Sequence, residues 1–387
     1  MRTAVRIIQI LVAVLFIVSG LVKANDPLGL AYKMEEFFEL WSGSLAAGHF
    51  FLKTPLINIF NFLHGYSLPL AVTMITLEIV TGIALLIGWQ KKFILYLLLL
   101  LIIFFTFLTG YAYLSGKFTN CGCFGDCLPI TPFASFMKDI ALLVLIIFLL
   151  IGQRHIYPVF APFVRSSVLV ISLILSLVLQ WYALNYLPPV DCLPFKKGNN
   201  ISEQTKAPPG SVPDSIAIRF IYEKNGKRYE FAPESLPPDF TTYKYIDRID
   251  KVVRKGNAEP KIKGFSLAGA SGADSAEAVL QQPVALVLFC QAPDNLSWLE
   301  DFKSIAATAQ QKNIPVYVAS PSLKTWQPIM EGRGIQGAQY FDADFTVVRT
   351  VARTNPTLLF LKKGTVVQKY SKNNLKDAAK YLSSGKF

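Results

Sequence analysis

Charged residues are scarce in this sequence. They make up 17% of the 387 residues, and the mean hydropathy is +0.39. That composition is too apolar for an ordinary soluble protein. The long apolar runs lie before residue 190, whereas the later residues have mixed charge and turns rich in Pro and Gly. The sequence therefore predicts a membrane part followed by a globular part.

A basic stripe interleaved with aromatic residues is also lacking. The net charge is +12, but the basic excess flanks the apolar runs or is scattered over the later part of the chain. A nucleic-acid-binding surface needs those charges gathered on one face. We therefore expect no nucleic-acid partner.

Histidine and cysteine are few, with three and five residues respectively. Three of the cysteines nevertheless fall within "CGCFGDC", as Cys121, Cys123 and Cys127. No histidine is adjacent and no second C-x2-C follows, so a structural zinc site is disfavoured. His49 and His64 precede the second apolar run and keep a metal open as the third alternative, after a structural disulfide and a redox-active dithiol.

Five apolar runs are long enough to cross a bilayer, which takes about 20 residues each. They cover residues 5–22, 67–89, 93–114, 133–152 and 166–187. A cleaved signal peptide is the competing interpretation of the first run, but that run is longer than a typical signal-peptide core. We predict five transmembrane helices.

The basic residues between these runs set the orientation. The segments that share a side with the N-terminus contain no acidic residue, and their basic residues are Arg2, Arg6, Lys91, Lys92, Arg154 and Arg165. The positive-inside rule then predicts a cytoplasmic N-terminus and a C-terminal region outside the membrane. Cys192, just after the fifth run, shares the outer face with the "CGCFGDC" loop. Outside the cytoplasm, thiols are commonly oxidised to disulfides.

Three disulfide pairings satisfy the spacing of these cysteines. Cys121 or Cys123 can pair with Cys127 within a turn, or a cysteine of the loop can pair with Cys192. Gly122 and Gly125 permit the tight backbone that each local pairing requires. A structural staple and a redox-active dithiol both stay open.

Glu78 is the acidic residue within the second apolar run. An ionisable group inside a membrane is a functional-site candidate by default. The plainer interpretation is a carboxyl group that is hydrogen-bonded to a neighbouring helix. For Lys23 the sequence favours extension to the membrane surface, and for Lys138 and Asp139 it favours pairing with neighbours.

The segments 19–38 and 77–88, the motif "NCGCFGD" and "KD" at 138–139 together resemble the DoxX-like membrane proteins. The closest branch is MauE, named for methylamine utilisation, and the resemblance covers residues 1–155. It implies a helical bundle with a role in extracytoplasmic redox, including disulfide formation in partner proteins. It also implies that Cys121 and Cys123 are redox-active, with Glu78 as a weaker candidate. Some DoxX relatives are associated with quinone-linked oxidation, so a membrane quinone is the cofactor to consider.

The later sequence predicts a hairpin at 215–231 around Lys-Asn-Gly. A parallel strand–helix–strand unit over 283–320 and a terminal hairpin with a helix over 354–382 follow. Residues 261–387 resemble the thioredoxin-like fold, and "NPTLLFLKKGTVVQKY" resembles its segment with a cis-proline. The resemblance implies that Pro356 is cis, as are only about 5–6% of X–Pro bonds in folded proteins.

A C-x-x-C motif is missing from this domain. The dithiol positions fall near Asp294 and Ser297, and Cys290 at the end of a strand has no local partner. We expect Cys290 to be a buried apolar residue; the alternative is exchange with Cys192 or the membrane loop. The domain is then a binding module without redox activity of its own.

These observations predict an α-helical membrane bundle followed by an α/β thioredoxin-like extracytoplasmic domain. The divisions are a four-helix membrane domain (1–155), a fifth transmembrane helix (156–187), a linker (188–214), a β-rich subdomain (215–260) and the thioredoxin-like domain (261–387).

The predicted function is the exchange or formation of disulfides at the outer face of a bacterial inner membrane. If the protein is an enzyme, it is a thiol–disulfide or quinone-linked oxidoreductase. The predicted site residues are Cys121, Cys123, Cys127, Cys192 and Glu78. Membrane lipid and an extracytoplasmic protein are the expected partners. The alternative is a non-enzymatic scaffold with a structural disulfide loop, and a metal or solute carrier ranks last.

Overall fold

A computed structural model describes most of the chain. The described residues are 1–48, 51–118, 125, 127–128, 130–213, 215–254, 256–269 and 271–385, and of residues 251 and 252 only the backbone is described. Cys121, Cys123 and His49 therefore lie outside the described residues.

Seven helices account for most of the described residues before position 187. They are α1 (Arg2–Asn25), α2 (Pro27–Ala47), α3 (Lys53–Gly65), α4 (Ser67–Ile87), α5 (Lys91–Ser115), α6 (Pro132–Ile151) and α7 (Pro162–Tyr186). Helices α1, α4, α5, α6 and α7 are long and apolar enough to cross a membrane. Each coincides with one of the five predicted runs, so that prediction is confirmed.

Helices α1 and α4 pack unusually closely. A Cβ atom on Gly20 would lie 2.6 Å from Ile79 Cγ1, and one on Gly82 would lie 2.8 Å from Ile17 Cγ1. Small residues at a helix crossing let two backbones approach in this way. Helix α1 is thus a packed member of the bundle.

Helices α2 and α3 form a hairpin that the sequence analysis left unassigned. Helix α2 packs on α3 and α4. It reaches α5 through the ring pairs Phe37–Tyr111 and Trp41–Phe107, whose centroids are 6.2 and 5.8 Å apart. The charged residues in the middle of this helix and the glycine at position 43 hid it from a search for long apolar runs; the charged residues are Lys33, Glu35, Glu36 and Glu39.

Helix α7 is attached to the bundle by polar side chains. Gln180 Nε2 donates to Thr76 Oγ1 of α4 at 3.0 Å, and Ser176 Oγ lies 3.5 Å from the same oxygen. Most of the other side chains of α7 are exposed on the outside of the bundle, including Ile171 and Leu175.

After a short helix α8 (Ile201–Gln204), the chain forms an antiparallel sheet of β1 (Ser215–Lys224), β2 (Lys227–Phe231) and β3 (Lys244–Arg254) in the order β2-β1-β3. The predicted hairpin is confirmed: Asn225 and Gly226 form its turn with φ of +54° and +72°.

The last part of the chain is a five-stranded sheet covered by helices on both faces. Its elements are α9 (Ala276–Leu280), β4 (Ala285–Phe289), α10 (Leu299–Gln311), β5 (Val316–Ser320), α11 (Leu323–Gly332), β6 (Ala338–Asp342), α12 (Phe345–Val351), β7 (Thr357–Lys362), β8 (Thr365–Ser371) and α13 (Leu375–Ser384). The strand order is β6-β5-β4-β7-β8, with β4, β5 and β6 parallel and with β7 and β8 each antiparallel to its neighbours. The predicted parallel strand–helix–strand unit is β4-α10-β5.

Side chains of β4 alternate between two apolar cores. Val287 and Phe289 lie in the core with α9 and α12, and Leu286 and Leu288 lie in the core with α10, α11 and α13. A strand buried on both faces has the continuous apolar run by which it was predicted.

The segment 188–214, expected to be a linker, contributes to the first of these cores. Phe195 and Ile201 are buried there, and the backbone N–H of Ile201 donates to Gly364 O at 2.8 Å. The Asn355–Pro356 bond is cis, as predicted.

Candidate functional site

A disulfide joins Cys127, in the loop between α5 and α6, to Cys192, which follows α7. Their Cα atoms are 4.9 Å apart, and 65 residues separate them in sequence. Of the pairings that the sequence left open, the structure has the one that connects two loops. Cys123 precedes Cys127 by four positions, so the cysteine-rich segment adjoins this disulfide along the chain.

Asn25, the last residue of α1, holds the segment that carries Cys192. Its Nδ2 donates to Val190 O at 2.8 Å, while the N–H of Val190 donates to Asn25 Oδ1 at 2.9 Å. Its Nδ2 also lies 3.8 Å from Cys127 Sγ. One amide side chain therefore contacts both sides of the disulfide.

Asp26, the next residue, joins α2 to the C-terminal α/β domain. Its Oδ1 caps α2 by accepting from Gly29 N at 3.2 Å, and its Oδ2 accepts from Arg353 Nε at 2.8 Å. Arg349 Nη1, four residues before Arg353, pairs with Glu35 Oε2 of α2 at 2.5 Å. Both ion pairs are largely buried.

Tyr32 lies between these two ion pairs. The Arg349 guanidinium is 4.3 Å from its ring centroid, and Gln291 Nε2 donates to its hydroxyl oxygen at 3.2 Å. Burial raises the pKa of Tyr32 above its ordinary value, against the lowering effect of Arg353.

Gln291 connects this contact to the loop before β7. Its N–H donates to Asn355 Oδ1 at 2.9 Å, next to the cis bond to Pro356, and its Nε2 donates to Ala352 O at 2.8 Å. The end of β4 and this loop therefore form the face of the domain that docks on α2.

A second anchor lies beside Cys192. Lys369 Nζ of β8 pairs with Asp191 Oδ2 at 3.0 Å. Burial lowers the pKa of Lys369, and the Asp191 carboxylate opposes that shift. Asn373 Nδ2 also donates to Asn185 O at the end of α7, at 3.1 Å. The cystine is thus held between α1 and the sheet.

A cleft of about 710 Å³ lies between α2 and the docked domain. Cys127 and Cys192 are on its wall. One side carries the acidic residues of α2, and the other is basic. The charged residues of its lining are Lys33, Glu35, Glu36, Glu39, Lys196, Lys261, Arg349 and Arg353. The disulfide therefore faces a space large enough for a polypeptide segment.

Glu78 is buried in the bundle and forms an ion pair with Lys23 of α1. The two side chains are 1% and 3% exposed. The expectation that Lys23 extends to the membrane surface is therefore wrong, because the Glu78 carboxylate offers a partner within the bundle. Lys23 Nζ also lies 4.5 Å from the Phe105 ring centroid.

A second ion pair lies close by in α6. Lys138 Nζ is 2.8 Å from Asp139 Oδ1, and Thr109 Oγ1 of α5 donates to Asp139 Oδ2 at 3.0 Å. Lys138 and Asp139 thus pair with each other, and Asp139 also bonds to a neighbouring helix. Both ion pairs line one small cavity of about 20 Å³.

The residues 23–26, which we call the α1–α2 corner, connect all these features. Lys23 pairs with Glu78, Asn25 contacts the disulfide, and Asp26 binds Arg353. Sequence analysis missed the roles of Asn25 and Asp26. Asn-Asp-Pro is a signal for a helix start, but nothing local in the sequence indicates partners more than 100 residues away.

The two ends of the bundle differ in charge. At the end opposite the docked domain, Lys91 Nζ donates to Ile156 O at 3.0 Å, and the Arg2 guanidinium is 4.9 Å from the Tyr157 ring centroid. The loops at this end contain no acidic residue. The other end carries the acidic face of α2 and the disulfide.

Two other candidates have local roles. His64 Nε2 lies 3.0 Å from Glu39 Oε1, and no group of three metal-ligating side chains occurs among the residues that the structure describes. Cys290 is a free, fully buried thiol, and burial raises its pKa well above the ordinary value. This confirms the prediction of a buried side chain.

Comparison with known proteins gives two family matches. Residues 1–152 match the family described as methylamine utilisation protein MauE, and residues 216–255 match a domain of unknown function, DUF8463. The part of the bundle from α1 to α6, with the α1–α2 corner and Glu78, is thus similar to MauE. No curated protein and no solved structure matches the chain.

Proposed function

We propose that this protein is a membrane thiol–disulfide oxidoreductase that forms or exchanges disulfides in partner proteins. The observation that carries the proposal is the Cys127–Cys192 disulfide on the wall of a cleft that can admit a polypeptide. Cys121 and Cys123 are the proposed exchanging pair, because they precede this disulfide within the same loop.

The reaction begins when a partner thiolate attacks one sulfur of a protein disulfide, which gives a mixed disulfide and a released thiolate. The partner's second thiol then attacks the mixed disulfide. The partner is oxidised to a disulfide, and the protein is reduced to a dithiol. Reoxidation of that dithiol releases two electrons and two protons, which pass to a membrane quinone or to another redox protein.

We further propose that the disulfide lies on the extracytoplasmic side of a bacterial inner membrane. The cationic loops at the opposite end of the bundle favour a cytoplasmic location for that end. Structural disulfides persist in oxidising compartments such as the periplasm. The C-terminal domain would then lie in the periplasm.

The C-terminal domain is proposed to be thioredoxin-like and to have a binding role. Its strand order supports the first point. The second is supported by Cys290, a buried thiol without a neighbouring cysteine in sequence. The face that docks on α2 includes the loop of Pro356, so the domain forms one wall of the cleft.

The match over residues 1–152 suggests a role in the maturation of methylamine dehydrogenase. We propose the polypeptide of such an enzyme as a partner. Its cysteines would enter the cleft, where acidic and basic walls orient an extended chain.

The test is differential alkylation of thiols in intact membranes, followed by mass spectrometry, with trapping of mixed disulfides. In a Cys123→Ser variant we expect Cys121 to remain bonded to a partner protein, and in Cys121→Ser we expect partner oxidation to fall. Cys290→Ala is the matched control and should change neither result.

A second candidate is a scaffold in which the cysteines only staple the loops. The two buried ion pairs that dock the C-terminal domain favour it, because they hold one arrangement of the two parts. Normal partner oxidation in Cys121→Ser, with a disulfide that resists reductant, would support the scaffold and reject the oxidoreductase.

A further inference from the structure

A cavity of about 530 Å³ lies at the end of the bundle opposite the docked domain. Lys91, at the start of α5, lines it together with Gln153, Arg154 and His155, which form a short turn after α6. Ligand pockets in proteins typically measure about 300–1,000 Å³. The cavity is therefore large enough for the polar head of a small molecule or a lipid.

The wall of this cavity carries positive charge that no acidic group nearby in sequence balances. The connecting segments at this end, 88–92 and 152–165, contain lysine and arginine but no Asp or Glu. Arg154 is exposed, and its guanidinium has no ion-pair partner among the described residues. An anion that enters the cavity is thus attracted without having to displace a carboxylate of the protein.

The polar groups on the wall are hydrogen-bond donors. Lys91 Nζ donates to Ile156 O at 3.0 Å, which fixes the ammonium group and leaves further N–H groups for a ligand. His155 Nδ1 is buried and has no hydrogen-bond partner among the described residues. Buried polar atoms are nearly always bonded, and each exception needs an explanation. A bound anion supplies one, because Nδ1 can donate to it when it carries the proton.

The backbone around the cavity is held in place by contacts between two loops. The N–H of Val159 donates to Ile87 O at 3.1 Å, so the loop between α6 and α7 is bonded to the end of α4. A Cβ atom on Gly88 would lie 2.7 Å from Tyr157 O. Because the two loops are already joined, little ordering is needed when a ligand binds between them.

An exposed apolar stripe leads away from the cavity along α6. Ile151 lines the cavity and is 75% exposed. Val144, Ile147 and Phe148 are exposed as well, and the spacing of three and four residues places all four side chains on one face of the helix. A free phosphate gains nothing from such a surface, whereas an acyl chain can pack along it. The stripe therefore favours a lipid.

We propose that this cavity binds the phosphate of an anionic membrane lipid, such as phosphatidylglycerol. Arg154 and Lys91 donate to the phosphate oxygens, His155 completes the contact, and one acyl chain lies along the stripe on α6. Basic pockets between transmembrane helices bind anionic lipid heads in this way. The lipid would tie the start of α5 to the turn after α6, and its binding does not depend on thiol exchange.

The test measures lipid binding to the full-length chain by native mass spectrometry after release from detergent micelles. Phosphatidylglycerol and phosphatidylcholine with identical acyl chains are titrated in parallel, because both contain a phosphate but only the first has a net negative charge. We expect phosphatidylglycerol to be retained in preference. Arg154→Gln should weaken its binding about tenfold or more, the effect of one lost charged hydrogen bond.

Lys92→Gln is the matched control. It removes the same charge at the same end of the bundle, but Lys92 is exposed and does not line the cavity. It should bind phosphatidylglycerol as the parent does. An equal loss in Lys92→Gln and Arg154→Gln would mean that these residues act only as diffuse charge, as topology signals do, and would overturn the site. Equal retention of the two lipids by the parent would overturn it too.

Glycerol 3-phosphate distinguishes a lipid from a soluble phosphate, because it is a head without acyl chains. It should not displace phosphatidylglycerol when added in excess; displacement would identify a site for soluble phosphates and reject the lipid.

Unfolding temperatures give a second measurement. Phosphatidylglycerol should raise the unfolding temperature of the parent and of Lys92→Gln more than that of Arg154→Gln, and equal increases in all three would contradict the site. If Arg154→Gln does not fold without lipid, Arg154→Lys replaces it. That variant keeps the charge but loses the planar fork that binds two phosphate oxygens, so it should still bind more weakly than the parent.

Discussion

The membrane part and the C-terminal α/β domain place cysteine in opposite environments. Cys127 is bonded to Cys192 on the wall of an open cleft, whereas Cys290 is enclosed at the end of β4. Burial in apolar surroundings raises the pKa of a thiol and removes the thiolate that reacts. Under the proposed function, thiol exchange therefore depends on the membrane part, and the domain contributes a docking face.

The two regions also use ion pairs differently. Lys23 and Glu78 are enclosed within the bundle, while Arg353 and Asp26 connect the domain to α2. Removal of one partner is therefore expected to damage the bundle in the first case and only to release the domain in the second.

The largest effect is expected from Lys23→Met. It leaves the Glu78 carboxylate buried without its partner, which typically costs about 3–5 kcal/mol. We expect a matching loss in the free energy of unfolding, measured by chemical denaturation in detergent. Lys23→Met combined with Glu78→Met should recover most of it, and an equal loss in single and double variants would contradict the ion pair.

Removal of the disulfide tests the link between the two regions. In Cys127→Ser with Cys192→Ser, we expect a loss of about 2–4 kcal/mol, the usual contribution of a disulfide. Limited proteolysis of segment 188–214 should accelerate, since α7 then loses one of its connections to the loop before α6. Unchanged cleavage relative to Cys290→Ala would show that the docked arrangement does not depend on the bond.

Removal of the ion pair between Arg353 and Asp26 is expected to have a smaller effect on stability. Arg353→Gln leaves the largely buried Asp26 with a weaker partner, at a cost of about 1–3 kcal/mol. We expect the domain to be released more often, measured by hydrogen exchange of β7 and α2. Arg333→Gln is the control, because Arg333 and Glu300 are exposed and 3.8 Å apart, and such pairs contribute about 0–1 kcal/mol.

The smallest change is expected at Cys290, where the prediction is an absence of reaction. N-ethylmaleimide should not modify Cys290 in the native protein at pH 7 or at pH 9, because burial keeps the thiol protonated at both values. Denaturation should make it react at once, as mass spectrometry can show. Rapid native modification would place Cys290 among the exchanging thiols.

Much of the fold followed from local patterns. The five spanning helices each have a continuous apolar run, and the β1–β2 hairpin has its Asn-Gly turn. Helix α2 escaped notice because its apolar residues mix with charged residues, of which Glu35 pairs with Arg349 of the C-terminal domain. Its sequence reflects a partner that only the folded chain provides.

The candidate site was predictable in its residue types and not in its contacts. Glu78 was identified because a carboxyl group in an apolar run is costly. The sequence places its partner Lys23 at the membrane surface, since nothing in the sequence shows that Lys23 of α1 lies beside Glu78 of α4. The pairing of Cys127 with Cys192 in a disulfide likewise depends on where α7 ends relative to α1.

The sequence by itself determined the five membrane helices, the hairpin and the parallel strand unit, because apolar periodicity and turn residues act over a few positions. Tertiary structure alone decided that Lys23, Asn25 and Asp26 contact the buried carboxylate, the disulfide and the docked domain. Those partners are 55 to 327 residues away in the chain. They come together because close packing of α1 on α4, at Gly20 and Gly82, fixes the end of α1 beside all three.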